Sequence, residues 1–183
     1  MGSLKEKLEF IQRGGKTKRF HTADTLTTQT VGEHSFGVAW LVTLMLPSIR
    51  KELILAALAH DLAEHVVGDV SSPAKRKHPA LKAALDVAEG SALSEVGLSY
   101  EPLLYHHEKL ALKLADMLDG LLFCVRERQM GSAVATPIYY NFLSYIGTHL
   151  AGEDFNVDTK EVKIAAKDIL EIILTLWEDA NER

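Results

Sequence analysis

The stretch Leu58-Ala-His-Asp-Leu-Ala-Glu64 constrains this chain most, because it sets ionisable side chains inside an apolar run. The pattern from Leu53 to Val67 predicts a buried helix. On such a helix His60 and Asp61 are neighbours, about 100° apart around the axis. Glu64 follows four residues after His60 and three after Asp61, so it is expected on the same side, one turn on. An interior of Leu, Ile, Ala and Val does not bury such groups unpaired, since desolvation costs several kcal/mol. A cation with bound water would satisfy all three.

The remaining ligands must then come from elsewhere in the 183 residues, a length that fits one domain over 1–183. The net charge of −5 argues against a nucleic-acid coat protein, though a small anionic substrate needs only a local basic patch. The single cysteine, Cys124, permits no disulfide within one chain and fits a reducing cytoplasm. The stretch from Met1 to Lys7 is charged and unlike a signal peptide. No apolar run approaches the roughly 18 residues of a membrane span.

Helical signals fill the chain. Ser3 with Glu6 and Thr30 with Glu33 form capping boxes, Ser48 is a plausible cap for a helix from Glu52 to His65, and Gly14-Gly15 ends the first helix. Pro79 opens a segment that runs to Val96, with Gly90 as a weak point or a break. The longest pattern runs from about His106 to Met130 and stops at Gly131. Thr136-Pro137 opens another helix, to Leu150 before Gly152, and Asp158 with Glu161 caps the last, to about Ala180. Residues from about 137 to 180 read as packing or oligomer surface. No segment alternates as a strand does, so the chain is expected to be all-α, with roughly six to eight helices.

His34 lies on the buried face of its helix with Val38, Leu41 and Met45. Alone, such a histidine is more often a hydrogen-bonded core residue than a ligand; the His60-Asp61 pair on the next helix changes that balance. Asp116 and Asp119 interrupt the apolar run of the longest helix, and an interior Asp there needs a partner. The ligand set is therefore His34, His60, Asp61 and one of Asp116 or Asp119. Two imidazoles and two carboxylates suit one divalent ion, Co, Mn, Zn or Mg, with positions left open for water and substrate. The basic loop from Lys16 to Thr22 contributes Arg19, a planar fork for phosphate oxygens, and Phe20 and His21, rings able to stack on a base. Asp69 is a turn residue or returns to the site. Lys75 to Lys77 form a solvated face or an electropositive entrance for phosphates.

His34, His60-Asp61 and Leu114-Ala115-Asp116 resemble the H…HD…D signature of HD-domain metal-dependent phosphohydrolases. Arg19, Glu33-His34-Ser35, Glu64, Gly68-Asp69 with Pro73 and Lys75, and Lys113 to Asp116 extend the likeness to the bacterial 5′-deoxynucleotidases. They extend it equally to the small phage dATP triphosphohydrolases of phages with 2-aminoadenine DNA. The likeness covers about residues 4 to 130. It implies a single all-α HD domain with a divalent metal held by His34, His60, Asp61 and Asp116, and Asp119 as runner-up. It implies Arg19 on the substrate phosphate, with Phe20 and Lys75 as further substrate contacts. Glu64 would position or deprotonate the attacking water, and Asp69 would serve the departing 5′-oxygen or the sugar. Bacterial members carry Trp after the arginine, where Phe20 stands here. The short spacings from His34 to His60 and from Asp61 to Asp116 resemble the compact phage type.

The leading expectation is hydrolysis of dATP to deoxyadenosine and triphosphate. The rivals are a 5′-deoxynucleotidase acting on monophosphates, an HD enzyme for another phosphoester, and a non-catalytic scaffold with core histidines. The expected partner is a deoxynucleotide rather than a nucleic-acid polymer or a membrane. Apolar C-terminal helices make a homo-oligomer plausible.

Overall fold

The computed structural model describes residues 2–151 and 156–182. Met1, Gly152 and Arg183 lie outside the described residues, and so does the helix stop expected at Gly152. The helices are α1 (Leu4–Gly15), α2 (Val31–Met45), α3 (Lys51–Ala59), α4 (Glu64–Val67), α5 (Ser72–Lys77), α6 (Pro79–Glu95), α7 (His106–Gln129), α8 (Ala135–Leu150) and α9 (Val157–Asn181), with a 3-10 turn at Glu101–Leu103. Two of them, α4 and α5, are short pieces of four and six residues. The fold is all-α; among the described residues the β-type pairing is an isolated bridge between Lys18 and Thr30.

The capping boxes at Ser3–Glu6 and Thr30–Glu33 form as their sequences dictate, each giving two orphan backbone donors a partner. Other boundaries move. The N-cap of α3 is Arg50 rather than Ser48, and that of α9 is Asn156, which accepts from the Thr159 backbone N–H, so Asp158 falls inside the first turn. Gly90 breaks nothing, and α6 runs through it.

α7 is the centre of the molecule. Its Leu114, Leu118 and Leu121 are fully buried, and α2, α8 and α9 pack around it. Tyr139 of α8 stacks on Trp177 of α9 with ring centroids 3.8 Å apart. Gly120 lets α8 approach, because a Cβ there would lie 2.5 Å from the Phe142 ring.

The largest departure from the sequence reading falls in the central stretch. The expected continuous helix stops at Ala59, and His60 to Ala63 form a tight turn before α4. Backbone bonds there close over three residues: Leu62 N–H to Ala59 and Glu64 N–H to Asp61, at 3.1 and 3.0 Å. The His60 ring also holds its own Ala57 carbonyl at 2.8 Å. The turn is seated against α1, where Gly14 leaves room for the Leu62 carbonyl; a Cβ on Gly14 would sit 2.5 Å from that oxygen. Tertiary contact thus overrides a strong local helical pattern.

Candidate metal centre and substrate cleft

Three parts of the fold deliver the predicted ligands. α2 supplies His34, the turn after α3 supplies His60 and Asp61, and α7 supplies Asp116. One donor atom from each lies within 4.8 Å of all the others. His34 Nε2 is 3.3 Å from His60 Nε2, 3.3 Å from Asp116 Oδ1 and 3.5 Å from Asp61 Oδ2.

The protons on the two rings decide what this cluster can hold. His34 Nδ1 is 2.6 Å from Asp119 Oδ2, and a carboxylate only accepts, so Nδ1 carries the proton. His60 Nδ1 likewise donates to the Ala57 carbonyl. In the neutral rings both Nε2 atoms then aim lone pairs at each other, flanked by two carboxylates. That arrangement is repulsive unless a cation or an extra proton lies between them. Two nitrogens and two oxygens match a divalent first-row ion, and the outer bonds to Asp119 and Ala57 fix ring orientation as such a ligand requires. The group can hold a single divalent metal ion.

Electrostatics agree. Burial and the Arg19 charge push the His34 pKa down, but hydrogen bonds to Asp116 and Asp119 outweigh them and raise it. Burial opposes ionisation of Asp116, yet Lys113 and His34 hold it well below the usual carboxylate range. Lys113 Nζ sits 2.7 Å from Asp116 Oδ2. Asp61 is lowered too: the charges of His60, His34 and Arg19 outweigh burial. Glu64 goes the other way. Burial and the charges of Asp61 and Asp69 push its pKa up to about 9, and its Oε2 has no hydrogen-bond partner.

Asp119, the runner-up ligand, turns its carboxylate to the far ring nitrogen of His34. It does so over Gly37 of α2, where any Cβ would collide with Asp119 Oδ1. Gly37→Ala is therefore expected to push Asp119 off His34. Metal affinity, measured by chelator competition, should fall about 10- to 100-fold, as for loss of an outer partner of a ligating histidine. Unchanged affinity in a folded variant would contradict this.

A cleft of about 220 Å³ opens beside Asp116. Arg19 and Asp69 line it, as does Phe20. Arg19 lies 3.8 Å from Asp116 and 3.9 Å from Asp119. Phe20 adopts a positive φ of 56° and stacks face to face on Phe123 at 4.6 Å, so one face of its ring is already covered. Asp69 reaches His21 at 3.3 Å. Lys75 points to Glu89, 3.7 Å away; the cation that α5 gives the cleft is Arg76, stacked over Tyr145 at 4.5 Å. Arg76 falls in the run from Lys75 to Lys77 read as a solvated face or an entrance for phosphates; sequence reasoning missed the α8 wall of Ile138, Asn141, Phe142 and Tyr145. Their spacing of three, four and seven was the only signal, and it was read as packing or oligomer surface.

The family model of the YfbR-like 5′-deoxynucleotidases matches residues 5–149. The chain belongs to this family. The match reaches past the motifs into α8, and it makes the chain an HD-domain phosphohydrolase, an enzyme. No curated protein sequence matches. Similar solved structures include an HD-domain phosphohydrolase from Listeria innocua, with a TM-score of 0.73 and 20% identity, covering 96% of this chain and 92% of that one. A cyanophage S-2L HD phosphohydrolase, DatZ, bound to dA and one catalytic zinc ion, gives 0.72 and 21%, covering 96% and 98%. A Pyrococcus horikoshii protein gives 0.69 and 20%, covering 94% and 99%. At these identities the structures establish a shared fold. No helix among the described residues is long and apolar enough to cross a membrane.

Proposed function

We propose that this YfbR-like enzyme, acting as one domain over 1–183, hydrolyses the 5′-phosphoester of a 2′-deoxynucleotide, with dATP giving deoxyadenosine and triphosphate. The observation that carries the reading is the convergence of His34, His60, Asp61 and Asp116 within 4.8 Å, with Arg19 3.8 Å from Asp116 at the cleft. His34, His60, Asp61 and Asp116 would hold the divalent ion. When bound, that ion supplies Lewis-acid charge at the phosphoryl oxygens and lowers the pKa of nearby water.

The chain's own groups do the rest. Arg19 grips the α-phosphate, where its fork opposes charge developing on the equatorial oxygens. In the metal-free chain burial and the charges of Asp61 and Asp69 keep Glu64 protonated; a bound cation would offset those charges and free its carboxylate to accept the proton of the attacking water. Water's oxygen joins the α-phosphorus as the bond to the 5′-oxygen breaks, and Asp69 gives that oxygen a proton or holds the sugar. Phe142 and Tyr145 offer ring faces to the base, with Phe20 completing the wall. The Asn141 carboxamide at the cleft carries a donor and an acceptor, matching the N6 and N7 edge of adenine. Adenine is supported also by the dA in the cyanophage structure. Arg76 and Lys113 also line the cleft, and their positive charge beyond Arg19 supports a substrate with a longer phosphate chain, a triphosphate. Lys75, 3.7 Å from Glu89 and not among the cleft's lining residues, is given no substrate contact in this reading.

The second reading, a 5′-deoxynucleotidase on monophosphates, is favoured by the matching family model. Product analysis across deoxy- and ribonucleotides, with Co, Mn, Mg and Zn each supplied, separates the two. Triphosphate released from dATP is the expected result. Free phosphate from deoxynucleoside monophosphates, with every triphosphate inert, would establish the second. For self-association, support comes from an exposed apolar stripe on α2 made by Phe36, Trp40 and Leu44, with Ile172 of α9 also exposed.

A further inference from the structure

We infer that Gln29 is a positioning residue that sets Arg19 and the His34–Asp119 pair as one unit. The inference rests on the metal-and-phosphate reading above.

Gln29 sits in the loop before α2, one residue ahead of the Thr30 cap, with no sequence signal of its own. Its Oε1 accepts from the Arg19 guanidinium at 3.0 Å, and its Nε2 donates to Asp119 Oδ2 at 2.9 Å. Chemistry fixes that orientation: Arg19 only donates and the Asp119 carboxylate only accepts, so a flipped amide would lose both bonds. The same Asp119 oxygen takes the His34 Nδ1 proton at 2.6 Å. A continuous chain therefore runs from Arg19 through one carboxamide to Asp119 and on to a metal-ligating ring.

The backbone holds the carboxamide in place. Arg19 N–H bonds the Gln29 carbonyl at 2.9 Å, beside the Lys18–Thr30 bridge. Two residues earlier the loop is clamped by the fully buried Glu127 of α7, which accepts from the Leu26 and Thr27 backbone N–H groups at 2.7 and 2.8 Å. Arg19 also needs this hold. Without it, the guanidinium would be free to settle onto Asp116 or Asp119 and take carboxylate charge from the ligand group.

Two variants test the coupling, read by Zn²⁺ affinity in chelator competition and by KM and kcat on the deoxynucleotide that wild type turns over. Gln29→Leu removes both ends of the amide; Zn²⁺ affinity should fall about 10-fold and KM rise about 10-fold, the scale of an outer-partner loss. Gln29→Glu keeps the acceptor for Arg19 but loses the donor to Asp119. It should leave KM within about twofold while weakening Zn²⁺ as much as Gln29→Leu does. This split is one that a purely structural role would not produce, and the near-isosteric variant keeps the test open if the leucine variant does not fold. Wild-type Zn²⁺ affinity in both variants, or a KM raised equally in both, overturns the inference. A wild type that binds no Zn²⁺ overturns the metal reading itself, and the inference with it.

Discussion

Asp61→Ala is expected to abolish metal binding and hydrolysis together. Wild type should purify with, or take up, about one divalent ion per chain, and the variant with none. Losing the Lewis-acid contribution, several kcal/mol of transition-state stabilisation, lowers kcat by on the order of 10³-fold or more. The fold itself should survive, because Asp61 lies in the turn after α3 and its charge presses on Glu64 in the metal-free protein. Melting curves give the second readout. A ligand at 100 times its Kd stabilises the folded state by about 2.7 kcal/mol, so added Zn²⁺ should raise the wild-type Tm and leave the variant unmoved. Arg19→Ala is the contrast: it should lose most activity while still showing the metal-dependent Tm rise. If Asp61→Ala hydrolyses substrate at the wild-type rate, the ligand assignment is wrong.

Glu64→Gln should kill activity and stabilise the metal-free protein. As the proposed general base of the metal-loaded enzyme, the carboxylate would account for about 10²- to 10⁴-fold in rate. Its stability effect has the opposite sign. Burial, with Asp61 and Asp69, lifts its folded pKa from 4.5 to about 9, so the folded chain holds a proton that the unfolded chain releases. Stability from this group is full below about pH 4.5 and drains as pH climbs toward 9. The neutral amide has no proton to lose. In the presence of chelator at pH 8, Glu64→Gln should be more stable by on the order of a few kcal/mol, a Tm gain of roughly 5–10 °C, and the difference should vanish near pH 4.5. A Tm gap between the two proteins that does not change with pH would refute the buried, proton-holding Glu64.

The all-α class, the capping boxes at Ser3 and Thr30, the stop at Gly131 and the ligand types follow from local chemistry, and local chemistry is written in order along the chain. A helix period shows which face is apolar, and a histidine on that face demands a partner whatever the fold. Hence His34, His60, Asp61 and the pair Asp116 and Asp119 are legible in the amino-acid order itself. The tertiary structure decided everything that depends on what packs against what. It ended α3 at Ala59, because Gly14 let the Leu62 turn seat on α1. It gave Asp116 to the ligand group and Asp119 to His34 Nδ1, two residues of one helix that composition and spacing leave equivalent. It brought Asn141, Phe142 and Tyr145 of α8 to the same cleft as Arg19 and Asp69, which lie far earlier in the chain. Hydrogen-bond partners such as Gln29 are chosen by distance in space, and one sequence carries no record of that distance.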